Sequence, residues 1–207
     1  MKISNLHYIT TSPREAELAC RGGVRWVQLR LKNTPYPTWR QLALDTQVVC
    51  RHHGTTLLIN DNPQLALEIG ATGVHLGQQD MSPAEARALL GSDFIIGGTA
   101  NTFAHIEKLV AAGVDYIGLG PYRFTTTKEN LSPILGLVGY EKLLAQCQAA
   151  GFTVPIIGIG GIGLADVATL RVAGLHGVAV SGAISNAANP TATAAQFMEA
   201  ASSSLTT

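Results

Sequence analysis

The chain predicts a single α/β domain folded as a (β/α)8 barrel, and three observations carry that expectation. Short apolar runs of four to six residues recur eight times along the 207 residues. Each run is followed by an amphipathic stretch long enough for a helix. Glycine recurs where a helix-like stretch meets the next apolar run.

In chain order, the first strand is expected over residues 7–10 and its helix over 14–20, where Ser12 can cap and Pro13 suits the first turn. The second pair falls at 25–30 and 38–52, and the third at 56–60 and 63–69. The fourth is 73–76 with 83–90, started by Ser82-Pro83 in the manner of the first. The remaining pairs are 94–97 with 103–112, 116–119 with 140–149, 155–159 with 164–172, and 177–180 with 191–202. Most runs are continuously apolar rather than alternating, as parallel strands covered on both faces must be. A weak repeat, RGGVRWVQL, GATGVHLG, AAGVDYIGLG and VAGLHGVAVSG, puts glycine where a helix ends in a left-handed residue. Eight units in 207 residues leave about 26 each, tight but sufficient for a TIM barrel. A doubly wound open sheet is the competing arrangement, and eight evenly repeated units favour closure. No Pro-, Ser- or Gly-rich linker divides residues 1–207, so one domain is expected.

Composition narrows the function. Fourteen Lys and Arg balance fourteen Asp and Glu, and charged residues make up 14% of the chain against about 25% in typical soluble proteins. A nucleic-acid binder would carry a basic stripe, and a membrane-surface binder a polybasic cluster; neither is expected here. Cys20, Cys50 and Cys147 are odd in number and far apart, which points to reduced thiols rather than disulfides or a zinc site. The first residues lack the apolar core of a signal peptide, and no run approaches the ~18 apolar residues of a membrane span. A cytoplasmic enzyme is the expectation, and weakly charged helix faces suit a homodimer.

Gly158-Ile159-Gly160-Gly161-Ile162-Gly163 matches the dinucleotide pattern G-x-G-x-x-G. That pattern also wants an acidic residue about 20 positions on, and residues 180–188 offer none. The better reading is a phosphate-approaching loop after the seventh strand.

Barrel enzymes place their chemistry at the C-terminal ends of the strands. There this chain gathers Gln28, Arg30 and Lys32 after strand two, Asn60-Asp61 after strand three and Asp80 after strand four. Thr99 follows strand five, Thr125-Thr126-Thr127-Lys128 follow strand six, and Gly161 and Ser181-Gly182 follow strands seven and eight. Asp61 and Asp80 suit a Mg²⁺ ion, which takes few carboxylates and completes its shell with water or phosphate oxygens. Arg30, Lys32 and Lys128 are the cations a diphosphate wants. Taken singly, Asp61 also fits a helix cap, and Arg30 and Lys32 fit solvated positions. Five charges on one rim favour a ligand site. The segment 121–139 is long enough for a lid over that rim.

QLRLK, LLIND, GVHLGQQD, GPYRFTTTK, IGIGGIG and GVAVSGAIS, in this order, resemble the thiamine-phosphate synthase family over residues 8–185. The resemblance implies a barrel that joins a hydroxymethylpyrimidine diphosphate to a thiazole phosphate, or its carboxylated form. It assigns Gln28 to Lys32, Asn60, Thr99 and Lys128 to the pyrimidine diphosphate, with Arg30, Lys32 and Lys128 catalytic, and Asp61 and Asp80 to Mg²⁺. Thr125, Thr126, Thr127, Gly161, Ser181 and Gly182 would hold the thiazole phosphate. Four places depart from the family pattern: Asn62 where Arg is frequent, Thr99 for Ser, Gly182 for Ser, and Arg123-Phe124 for Phe-Pro. A thiazole tautomerase of the same superfamily would carry a His after strand six, and residues 121–128 contain none. A barrel that binds thiamine intermediates without turnover would be expected to have lost Asp61, Asp80 or Lys128. No His is needed by the reaction, and His75 is expected as a packed, hydrogen-bonded core residue.

Overall fold

The computed structural model describes residues 2–125 and 133–203. Eight parallel strands close into a barrel, each hydrogen-bonded to its sequence neighbours and β8 to β1. They are β1 (Leu6–Thr10), β2 (Trp26–Leu29), β3 (Thr56–Asn60), β4 (Gly73–Leu76), β5 (Ile95–Ala100), β6 (Tyr116–Leu119), β7 (Ile156–Ile159) and β8 (Gly177–Val180). The helices are α1 (Pro13–Arg21), α2 (Tyr36–His52), α3 (Pro63–Ile69), α4 (Pro83–Leu90), α5 (Phe103–Ala111), α6 (Gly136–Ala149), α7 (Val167–Val172), α8 (Gly182–Ser185) and α9 (Pro190–Ser202).

Local chemistry sets these boundaries. Ser12, Asn62, Ser82, Thr102 and Asn189 each accept a backbone N–H in the first turn of the helix they precede, and Ser82 forms a reciprocal capping box with Glu85. Each repeat supplies one left-handed glycine at a helix end: Gly23, Gly70, Gly113 and Gly174. Alternation along the strands builds two cores. Val27, Leu29, Ile59, Val74, Ile96, Ile117 and Val178 face outward into the layer beneath the helices. Ile9, Trp26, Leu58, Ile95, Tyr116, Ile157 and Ala179 fill the barrel interior. All three cysteines are buried free thiols. Among the described residues no helix is long and apolar enough to cross a membrane.

Three expectations need correction. Strand five runs to Ala100, three residues beyond the predicted end, because Gly97 and Gly98 keep the ladder to β6 and Thr99 pairs with Gly118. The segment after Gly163 opens as a 3₁₀ turn (Leu164–Asp166) before α7, so the Gly-rich loop does not lead directly into a regular helix. The predicted segment 121–139 is shortened from its far end, since α6 starts at Gly136. The four-residue helix α8 is an element the apolar pattern does not announce.

Candidate active site

The site is built on the barrel's inward-facing positions. Gln28 and Asn60 lie buried on β2 and β3, and the Gln28 amide donates to Asn60 Oδ1 at 2.6 Å. Asn60 pairs in register with His75 on β4, which pairs with Gly97 on β5. His75 then reaches Thr99, Nε2 to Oγ1, at 2.9 Å. Gln28, Asn60, His75 and Thr99 therefore form a polar belt spanning four neighbouring strands, above an apolar and aromatic floor.

Charge gathers just above this belt. Arg30 continues the β1–β2 ladder, its N–H donating to Thr10 O at 2.9 Å. The half-exposed Lys32 forms an ion pair with Asp61. Asp61 follows β3 with φ +65°, a left-handed backbone that Asp tolerates better than most residues. The next residue, Asn62, caps α3 by accepting Leu65 N–H at 2.9 Å, so the Asp61 carboxylate is not used as the cap. Asp80 turns back to accept Gly77 N–H at 2.6 Å. Burial first, then the neighbouring Asp61 carboxylate, push the Asp80 carboxyl above its ordinary value; the Gly77 N–H and Lys32 act in the opposite sense. Two carboxylates from adjacent strand ends thus face one another, with a lysine beside them. Among the described residues no three His, Cys, Asp or Glu side chains gather as a metal site. The two carboxylates are hard oxygen donors of the type Mg²⁺ takes, with water and phosphate oxygens completing its shell.

The other side of the rim lies on β6, β7 and β8. Gly160 and Gly161 follow β7 with φ +94° and +66° and pack against the loop after β6. A Cβ on Gly161 would stand 2.8 Å from Phe124 O and 2.9 Å from Arg123 Cβ, so a bare backbone is required there. Ser181 and Gly182 open α8 at the end of β8, the barrel neighbour of β7. Thr125 is partly buried, while Thr126, Thr127 and Lys128 lie outside the described residues.

Sequence reasoning missed Asn101, Asp166 and Tyr140, and the partner of Arg123, in the organisation of this rim. Asn101, buried after β5, donates to both Gly120 O (2.8 Å) and Pro133 O (2.9 Å), tying together the two ends of the loop after β6. Arg123 makes a two-pronged pair with Asp166, at 2.5 and 2.7 Å, and its guanidinium lies over the Tyr122 ring. Asp166 also accepts Gly163 N–H at 2.8 Å, so that amide of the Gly-rich loop is already engaged. Tyr140, from α6, donates to Leu119 O at 2.5 Å and accepts Ile159 N–H at 3.2 Å, joining β6 to β7. The Arg123-Phe124 departure noted in the sequence is therefore an inter-loop clamp in part: Arg123 is paired and Phe124 is exposed.

A closed barrel with its polar residues on the strand-end rim has the architecture of a (β/α)8-barrel enzyme. A family model described as thiamine monophosphate synthase matches residues 3–184. The thiamine-phosphate synthase of Phocaeicola vulgatus is 48% identical over 183 residues, covering 88% of each chain. That of Flavobacterium johnsoniae is 47% identical over 182 residues, covering 88% of this chain and 86% of its own. Among solved structures, the thiamine phosphate pyrophosphorylase from Pyrococcus furiosus shares the fold, with a TM-score of 0.83 over 95% of both chains at 23% identity. The chain belongs to the thiamine monophosphate synthase family, and it is a transferase of thiamine biosynthesis.

Proposed function

We propose that the chain catalyses the Mg²⁺-dependent condensation of 4-amino-2-methyl-5-(diphosphooxymethyl)pyrimidine with 4-methyl-5-(2-phosphooxyethyl)thiazole, or its carboxylated form. The products are thiamine phosphate and diphosphate, and the carboxylated form also releases its carboxylate as carbon dioxide. The observation that carries this reading is the convergence of Lys32, Asp61 and Asp80 directly above the Gln28–Asn60 pair. A polar belt able to orient a heterocycle meets a charged cluster able to hold a diphosphate.

Arg30, Lys32 and Lys128 offset negative charge as the diphosphate departs, an electrostatic contribution rather than proton transfer. Asp61 and Asp80 would hold the Mg²⁺, which would supply further positive charge to the departing diphosphate. The methylene C–O bond breaks with its electron pair leaving on diphosphate. The thiazole nitrogen supplies the pair for the new C–N bond, and the aminopyrimidine ring stabilises the cationic carbon between these events. Thr125, Thr126 and Thr127, with Gly161, Ser181 and Gly182, would hold the thiazole phosphate so that its ring nitrogen attacks from close range. Loops after strands seven and eight are the usual phosphate-binding place in such barrels.

Lys32 and Asp61 form an ion pair with each other at this rim. Initial rates over a Mg²⁺ titration test the ligand assignment. Asp61→Asn and Asp80→Asn should each raise the half-saturating Mg²⁺ by about tenfold or more, as loss of a charged ligand implies. An unchanged titration would reject the pair. Lys128→Ala should lower kcat more than it raises KM, the pattern of an interaction strongest in the transition state.

A further inference from the structure

Beneath the rim, the belt residues His75 and Thr99 continue a hydrogen-bonded chain that begins at a buried phenol to which the proposed function gives no part. The Tyr116 phenol is fully buried within the barrel, 2.8 Å from His75 Nδ1. His75 Nε2 lies 2.9 Å from Thr99 Oγ1, and Thr99 is partly exposed at the rim. Two glycines make room for this chain. A Cβ on Gly97 would sit 2.2 Å from the Tyr116 ring, and one on Gly118 would sit 3.0 Å from His75 Cε1. Either side chain would displace a ring, so the barrel wall is shaped around the pair.

Hydrogen-bond directions follow from burial. Among the described residues the Tyr116 hydroxyl has one hydrogen-bond partner, His75 Nδ1. A buried O–H left without an acceptor is costly, so the phenol donates and Nδ1 accepts. Nδ1 then carries no proton, and the neutral ring holds its proton on Nε2. Nε2–H donates to Thr99 Oγ1, and the threonine's own O–H is left to donate elsewhere. An imidazolium, or the opposite tautomer, would strand the phenol proton. Burial also pushes the Tyr116 phenol well above its ordinary value, so it keeps the proton it donates.

We propose that Tyr116 and His75 are positioning residues that set the Thr99 hydroxyl as a hydrogen-bond donor toward the rim, selecting an acceptor atom on the bound substrate. A ring nitrogen of the pyrimidine, or an oxygen of its diphosphate, has that chemistry. This rests on the proposed function in so far as Thr99 contacts that substrate, but the direction of the hydrogen bonds does not.

Two measurements test it. Heteronuclear NMR of the histidine ring nitrogens, with the His75 signals assigned through His75→Gln, reads the tautomer in the unliganded chain. The Nε2–H form is expected, with Tyr116→Phe shifting the ring toward a tautomer mixture. An Nδ1–H ring in the unaltered chain would overturn the proposal. The second measurement is a double-mutant cycle on kcat/KM for thiamine phosphate formation. Tyr116→Phe should cost about tenfold when Thr99 is present and nothing further in a Thr99→Val background, while Thr99→Ser retains activity. Equal losses in both backgrounds would show a merely structural phenol and overturn the proposal. A Thr99→Val chain as active as the original would instead remove Thr99 from the binding site, overturning its proposed use while the tautomer still reports the hydrogen-bond order. Tyr116→Phe deletes one oxygen, and the tautomer of the unaltered chain is informative even if that variant folds poorly.

Discussion

Asp61 combines a proposed place in the metal site with an uncommon backbone conformation. Its left-handed φ of +65° disfavours most side chains, and the Asn62 cap relieves it of a structural duty at α3. Asp61→Asn should keep this conformation, because Asn also enters the left-handed region readily, and should melt close to the parent. Asp61→Ala should lose about 1 kcal/mol more through backbone strain, read as a lower thermal midpoint. Asp61, Asp80, Arg30 and Lys32 were legible in the sequence because charged residues are few and strand ends are easily located. The sequence did not reveal that Lys32 pairs with Asp61, or that Tyr116 and His75 lead to Thr99. Those contacts join residues far apart in the chain, and a buried Tyr in an apolar run reads as ordinary core. Asn62 looked like a departure from a family pattern; its cap is local chemistry that Asn-Pro before a helix already signals.

At the scale of elements, the strand and helix order was readable from apolar period and glycine spacing, with most boundaries within two residues of the structure. The misses have physical causes. Helix α8 has four residues, too few for any period to show. The start of α6 lies before the predicted one because Gly136 and Gly139 look like loop residues. The loop after β6 depends on contacts that no local pattern encodes, above all the two bonds from Asn101. Asn101→Ala leaves two carbonyls without these donors and should cost about 1–3 kcal/mol in chemical denaturation. The thiazole-phosphate KM should rise with it if the loop holds that phosphate. The Arg123–Asp166 clamp joins the same loop to the one after β7. Its hydrogen bonds hold the Asp166 carboxyl below the ordinary range, against the opposing effect of burial. A carboxyl lowered on folding stabilises above its unfolded value, about pH 4, and that contribution fades as pH falls through the lower folded value. Asp166→Asn should therefore narrow its melting difference from the parent as the solution is acidified below pH ~4. A difference independent of pH would assign the effect to packing.

For the molecule as a whole, equal counts of acidic and basic residues conceal an uneven distribution. An apolar double-layered barrel supports a rim where cations, a pair of carboxylates and bare glycine backbone meet. Such a rim suits a diphosphate and a phosphate on two sides of one opening, which is what the proposed condensation requires. The most direct measurement supplies the purified chain with both substrates and Mg²⁺ and follows the products by mass spectrometry. Thiamine phosphate and diphosphate should appear in equal amounts, only when both substrates and Mg²⁺ are present. A tautomerised thiazole phosphate with no coupled product, or tight binding of both substrates without turnover, would contradict the account.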